Sequence, residues 1–186
     1  METESTVAGT LAVQVVVIAQ PLVSLEVASL GETLKAVLAA PVARRVLVLS
    51  GAGEDWLPDG FDLLGLRGTD YGERMAAALA DAYATAALPM LLMRSDTLGV
   101  GPDMVEDAAR SLISAEADTV YGPASDGGCW LLGLRRPDRS LVAGIPAPGD
   151  GSGPGAGRIL LERLASAGLR VAIAPRLEVA GAAIRF

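Results

Sequence analysis

Short apolar runs alternate along this chain with stretches in which apolar residues recur every three or four positions. Residues 13–19 and 45–50 read as strands buried on both faces, with a short helix over 32–40 between them. Residues 61–66 are a weaker strand candidate. Asp70 and Glu73 then form a capping box, and Met75, Leu79 and Tyr83 behind it give one apolar face at a spacing of four. Residues 88–93 are the next strand, followed by Arg94-Ser95-Asp96-Thr97. A helix opens at Pro102 and runs to about Ala115. Residues 119–121 and 129–134 are strands around an acidic loop. Residues 159–167 form a helix closed by Gly168, and 169–174 a last strand. The alternation predicts a mostly parallel sheet covered by helices on both faces.

Composition narrows the partners. A chain of 186 residues, 51% hydrophobic and 20% charged, fits one folded domain over 9–186 behind a loose leader at 1–8. The net charge of −7, with one lysine against fourteen arginines, argues against nucleic acid. It leaves room for a small anion held by one or two arginines. The apolar run at 11–19 is too short to cross a bilayer and follows acids rather than bases, so no membrane insertion is expected. One cysteine, Cys129, forms no internal disulfide, and a cytoplasmic setting is the simplest inference. There is no histidine, which removes imidazole catalysis and histidine-ligated zinc. Chemistry must rest on carboxylates, an oxygen-ligated metal, or arginine and backbone electrostatics.

Two acids stand where such chemistry could occur. Asp126 lies between Ser125 and Gly127-Gly128, just before the apolar run 129–134. The glycines let a ligand approach, or Asp126 closes a tight turn on its own backbone. Asp96 lies past the end of a strand, where open α/β sheets bind ligands; it holds a divalent cation there or closes an Asx-type turn. The glycines at 151, 153, 155 and 157 imitate a dinucleotide loop, but no strand precedes them. They read as a mobile loop over 147–157, with an anion at the start of the Arg158 helix as the less favoured alternative. Arg67 and Arg74 flank the capping box. Trp130 and Met75 read as core, and Cys129 as an inert thiol.

Three segments resemble one family. Arg67-Gly-Thr-Asp-Tyr-Gly-Glu-Arg-Met75 is similar to its Gly-Asp-Leu-Gly-Glu-Arg-Met segment. The residues 93–105 resemble its Gly-Ser-Asp-x-Pro segment and following helix. Residues 122–134 resemble its Gly-Pro-Ala-x-Asp-Gly-Gly-Tyr-Tyr-Leu-Ile-Gly-Leu signature. The family is the radical-SAM/selenodomain-associated glycosyltransferase-like group, related to the guanylyltransferases of cofactor biosynthesis. The resemblance spans 67–175 and implies a single three-layer GT-A-like (nucleotide-diphospho-sugar transferase) domain. It implies Mg²⁺ or Mn²⁺ at Asp96 with Glu178, and a nucleotide or nucleotide-sugar near Arg74, Ser95, Asp96, Ser125 and Gly127. It also implies that Asp126 faces an acceptor, while Glu73 and Arg74 match a Glu-Arg pair.

The chain departs from that family where phosphate and metal would be held. The family's first loop, Lys-x-Pro-x-x-Gly-x-x-Lys-Thr-Arg, corresponds to residues 19–26, with no base before Lys35. The family's Asp-Val-Asp segment corresponds to Glu178-Val179-Ala180, and Leu98 replaces the proline of Ser-Asp-x-Pro. A diphosphate needs its charge offset in a cleft. Two functions therefore stand side by side. One is a metal-dependent nucleotide- or nucleotide-sugar-binding transferase. The other is a catalytically degenerate relative acting as a binding or assembly subunit, as a homo-oligomer or beside a partner enzyme.

Overall fold

The computed structural model describes residues 9–19, 24–50, 57–149 and 155–180, with the side chains of 24–26 left aside. The leader at 1–8, the apolar replacement for the basic loop at 20–23, residues 51–56, the loop residues 150–154 and residues 181–186 lie outside the described residues.

Among the described residues seven strands form one sheet. They are β1 Leu11–Ile18, β2 Val42–Leu49, β3 Asp62–Gly65, β4 Met90–Arg94, β5 Thr119–Pro123, β6 Cys129–Leu134 and β7 Val171–Ile173. Their order is β3-β2-β1-β4-β6-β5-β7. All run parallel except β6, which is antiparallel to both β4 and β5. Helices α1 Ser24–Ala39 and α3 Pro102–Ile113 cover one face, while α2 Tyr71–Thr85 and α4 Ala156–Ser166 cover the other. This is the three-layer α/β fold expected from the alternation, with a mostly parallel sheet.

The central strands are apolar throughout because both faces are covered. β4 and β6 are buried along nearly their whole length. The exception in β1 is Gln14, fully buried, whose amide donates to the Ala86 carbonyl (2.7 Å) and whose carbonyl accepts from Arg44 Nη1 (2.8 Å).

Several boundaries shift. α1 starts at Ser24, eight residues before the expected Glu32, and α4 starts at Ala156 rather than Ile159. A 3-10 turn at Arg139–Leu141, capped by Asp138, has no counterpart in the periodicity. Tyr83 does not share the buried face of α2, being 42% exposed. A step of four advances about 40° round the helix, so Tyr83 lies about 80° from Met75. The buried stripe instead steps by three or four, from Met75 to Ala78 and Leu79 and from these to Ala82.

The connections position a cleft. β1 sends the chain to β2 on one side, while its other neighbour is β4, so the strand order reverses between β1 and β4. That switch point is where α/β sheets open a crevice at the carboxyl ends of their strands. Ser95 N donates to Ile18 O there (3.2 Å), closing the floor.

Candidate functional site

The capping box forms, with one difference. Asp70 Oδ1 accepts from Glu73 N (2.8 Å), as an N-cap should. Glu73 reaches back one residue further than a standard box, its Oε2 accepting from Thr69 N (2.8 Å) and Thr69 Oγ1 (2.7 Å). These hydrogen bonds hold the Glu73 carboxyl below its ordinary pKa. Glu73 thus fixes the start of α2 rather than facing the cleft. Gly72 is required next to it: a Cβ there would stand 2.6 Å from Ile145 N and 2.8 Å from Val142 O. That contact sets α2 against the 142–148 loop, which forms one wall of the cleft.

Asp96 and Asp126 meet on one cation that the sequence analysis passed over. Arg94, the last residue of β4, donates from Nε to Asp96 Oδ1 (2.9 Å) and from Nη2 to Asp96 Oδ2 (2.6 Å). Its Nη1 donates to Asp126 Oδ2 (2.8 Å), from a loop 32 residues away. The three side chains are 18%, 22% and 15% exposed, so the cluster is mostly shielded from water. Charge-assisted bonds of this fork geometry are the strong class. Hydrogen bonds and the two carboxylates outweigh desolvation and raise the pKa of Arg94, so it stays cationic. One cation against two carboxylates leaves a surplus negative charge.

The turn reading of Asp126 is realised, and its second oxygen meets Arg94. Its Oδ1 accepts from Gly128 N (3.0 Å), the turn on its own backbone, while Oδ2 takes Arg94. Gly127 has φ +82°, the left-handed region that favours glycine. Its carbonyl accepts from Gly157 N (3.0 Å), so the first turn of α4 is seated on the Asp126 loop. That use of the helix start stands against an anion there.

A backbone clasp spans the two acids. Residues 177–180 bridge to Ala124 on one side and Thr97 on the other. Leu177 N donates to Pro123 O (3.1 Å), Ser125 N to Leu177 O (3.0 Å), Leu98 N to Glu178 O (2.8 Å) and Ala180 N to Asp96 O (2.7 Å). Ser125 Oγ accepts from Val179 N (3.2 Å). Extended backbone alternates sides. Val179 is buried and Glu178 is exposed, so Glu178 contributes its carbonyl while its carboxylate faces away from the core.

The cleft beside this cluster has a volume of about 830 Å³. Arg74, Ser95 and Asp96 line it, together with Tyr71, Trp130 and Pro148. Met75 and Trp130 are core residues that also show an edge to it. Burial raises the Tyr71 hydroxyl well above its ordinary pKa and pushes the Cys129 thiol up to about 12, a direction that fits the reading of Cys129 as an inert thiol. Of the expected site residues, Arg74, Ser95 and Asp96 line the cleft, while Asp126 is not among the lining residues and joins Asp96 through Arg94. Ser125 and Gly127 serve the scaffold through the bonds above, and Glu178 is not among the cleft-lining residues.

Among the described residues no three His, Cys, Asp or Glu side chains gather to hold a metal. Mg²⁺ commonly needs only one or two carboxylates when phosphates of the ligand complete its shell. Asp96 and Asp126 fit that number and chemistry, although Arg94 already engages both.

Comparison with known proteins follows the same line. A family described as "Uncharacterized protein conserved in bacteria (DUF2064)" matches residues 33–147. No curated protein sequence matches the chain. A solved protein of Desulfovibrio desulfuricans G20, provisionally assigned as a nucleotide-diphospho-sugar transferase, is 20% identical. It superposes with a TM-score of 0.76 over 91% of this chain and 82% of its own. The Rv0371C protein of Mycobacterium tuberculosis H37Rv, solved with manganese, is 19% identical with a TM-score of 0.59 (91% and 89% covered). Glucosyl-3-phosphoglycerate synthase of M. tuberculosis, solved with Mn²⁺, UDP and glucosyl-3-phosphoglycerate, is 17% identical with a TM-score of 0.60 (90% and 70% covered). The fold is therefore that of the GT-A-like nucleotide-diphospho-sugar transferases.

Proposed function

Since the chain belongs to the DUF2064 family of bacterial proteins, we propose that it binds a nucleotide or nucleotide-sugar in the cleft between the Asp96 turn and the Asp126 loop, as a transferase-like protein. The observation that carries this reading is the convergence of Asp96 and Asp126 on Arg94, at the switch point of the sheet. Asp126, with one oxygen fixed by Gly128 N, orients or deprotonates the acceptor. Arg74 and Ser95 lie on the nucleotide side, and Ser125 and Gly127 hold the loop in place. Mg²⁺ or Mn²⁺, held by Asp96 with the ligand's phosphates, would supply positive charge against a departing diphosphate. Glu178 would join only by a rearrangement of the clasp.

The finer affiliation we propose is a divergent member of the radical-SAM/selenodomain-associated group, working in the cytoplasm as a homo-oligomer or beside a partner enzyme. A second reading, a binding or assembly subunit without catalysis, draws on one observation: both Asp96 oxygens are engaged by an internal cation.

Thermal shift with nucleoside di- and triphosphates and nucleotide-sugars, with and without Mg²⁺ or Mn²⁺, separates the two. Metal-dependent stabilisation of about 2.7 kcal/mol is expected at a hundredfold excess over Kd, and Asp96→Ala should abolish it. No response to any nucleotide would leave the non-catalytic reading.

A further inference from the structure

We propose that Arg94 and a divalent cation exclude one another at Asp96 and Asp126, so that Arg94 is the resident cation of the site and controls whether a metal enters. This inference rests on the cleft's carboxylate pair, the site to which the nucleotide reading also belongs.

Geometry makes the competition direct. Each nitrogen of the Arg94 guanidinium donates one bond to these two carboxylates, two bonds to Asp96 and one to Asp126. The fourth carboxylate oxygen, Asp126 Oδ1, accepts from Gly128 N. A metal drawn to this pair must share oxygens with a guanidinium or replace it. Sharing sets a divalent and a univalent cation against each other in a site only 15–22% exposed, where water screens weakly.

Charge balance points the same way. With Arg94 in place, the pair carries one surplus negative charge. With a divalent ion added and Arg94 retained, the cluster becomes positive; with Arg94 exchanged for the ion, it becomes neutral. Exchange is the smaller change in a cleft of this burial.

The resemblance described in the sequence analysis agrees with this picture. In the segment resembling Gly-Ser-Asp-x-Pro, Arg94 takes the place of the glycine. A glycine there has no side chain to reach either acid. A chain with glycine at this point would leave both carboxylates open to an ion, whereas this chain has built a cation into β4 itself. Arg94 also lines the cleft.

The test uses Mn²⁺ alone, with no nucleotide present, so failure of the nucleotide reading leaves it intact. Mn²⁺ is titrated into the wild-type chain, Arg94→Gly, Arg94→Gln and Arg94→Gly/Asp96→Asn, with free ion followed by electron paramagnetic resonance. Circular dichroism melts establish that each variant is folded. Arg94→Gln keeps side-chain bulk and a hydrogen-bond donor, and serves if the glycine variant does not fold. Removing the guanidinium should tighten Mn²⁺ binding about 10- to 100-fold, the scale set by lost charge-assisted bonds. Adding Asp96→Asn should return it to the wild-type level. Equal affinity in wild type and both single variants would overturn the proposal. So would tight binding that survives Asp96→Asn, because the ion would then sit elsewhere.

Discussion

Two arginine–aspartate clusters lie at opposite ends of the sheet, and they differ in which charge is in surplus. At the amino end of β5, Asp118 accepts from Arg170 Nε and Nη2 (both 2.9 Å), with Arg135 Nη1 at 3.8 Å. At the carboxyl end, Arg94 serves Asp96 and Asp126. The first cluster has two cations for one carboxylate, and Arg170 is 57% exposed. It staples the starts of β5 and β7 and faces open water. The second has two carboxylates for one cation, lies mostly buried, and borders the cleft. Pairing chemistry alone does not tell the two clusters apart; the surplus carboxylate at the switch point does.

Removing the arginine at each end is the strongest way to break this comparison. Arg94→Ala leaves two mostly buried carboxylates without their cation and should cost about 2 kcal/mol in urea unfolding. Arg170→Ala should cost clearly less, because Asp118 keeps water and Arg135. Equal losses would erase the distinction. A smaller effect concerns the clasp that holds the carboxyl-end acids in register. Ser125→Ala removes the acceptor for Val179 N and should cost about 1 kcal/mol. It should also speed exchange of the Val179 amide, and an unchanged rate would mean that the clasp does not depend on that bond.

The amino-end cluster has its own signature in acid. Hydrogen bonds from Arg170, its side chain first, hold the Asp118 carboxyl well below its ordinary value of 3.8. A carboxylate with a depressed folded pKa contributes stability above its unfolded pKa and loses it as pH falls through the folded one. The contribution is complete at neutral pH and drains away below 3.8. Asp118→Asn should flatten the fall in Tm between about pH 4 and about pH 2, and an unaltered acid limb would count against the staple. The smallest expected effect is none at all. With its pKa pushed up to about 12 by burial, Cys129 should resist thiol reagents at neutral pH while the protein is folded. Prompt labelling would mean that the cleft opens far more than its packing implies.

Much of the fold was legible because its signals are local. Buried strands announce themselves as unbroken apolar runs, and the Asp70 cap and the Pro102 start are set by residues within one turn. Misreadings came where a period or a partner was not local. A spacing of four carried Tyr83 off the face it was assigned to. The two acids were legible from their glycines and their position after strands. Arg94 was not, although the arginine in place of a motif glycine was a signal that could have found it. At the end of an apolar strand it resembles any solvent-facing base, and one of its acceptors arrives from 32 residues away.

By itself, then, the sequence determined the alternation of elements, the lack of any histidine, and the two acids that follow strand ends. These depend on composition and on contacts within a turn or a strand. Tertiary structure alone decided that Asp96 and Asp126 share one guanidinium, that the Glu178 carbonyl rather than its carboxylate is used, and that the start of α4 rests on Gly127. Each of these follows from the order β4-β6-β5-β7 and the strand register, which bring distant residues to bonding distance by packing that no local pattern encodes.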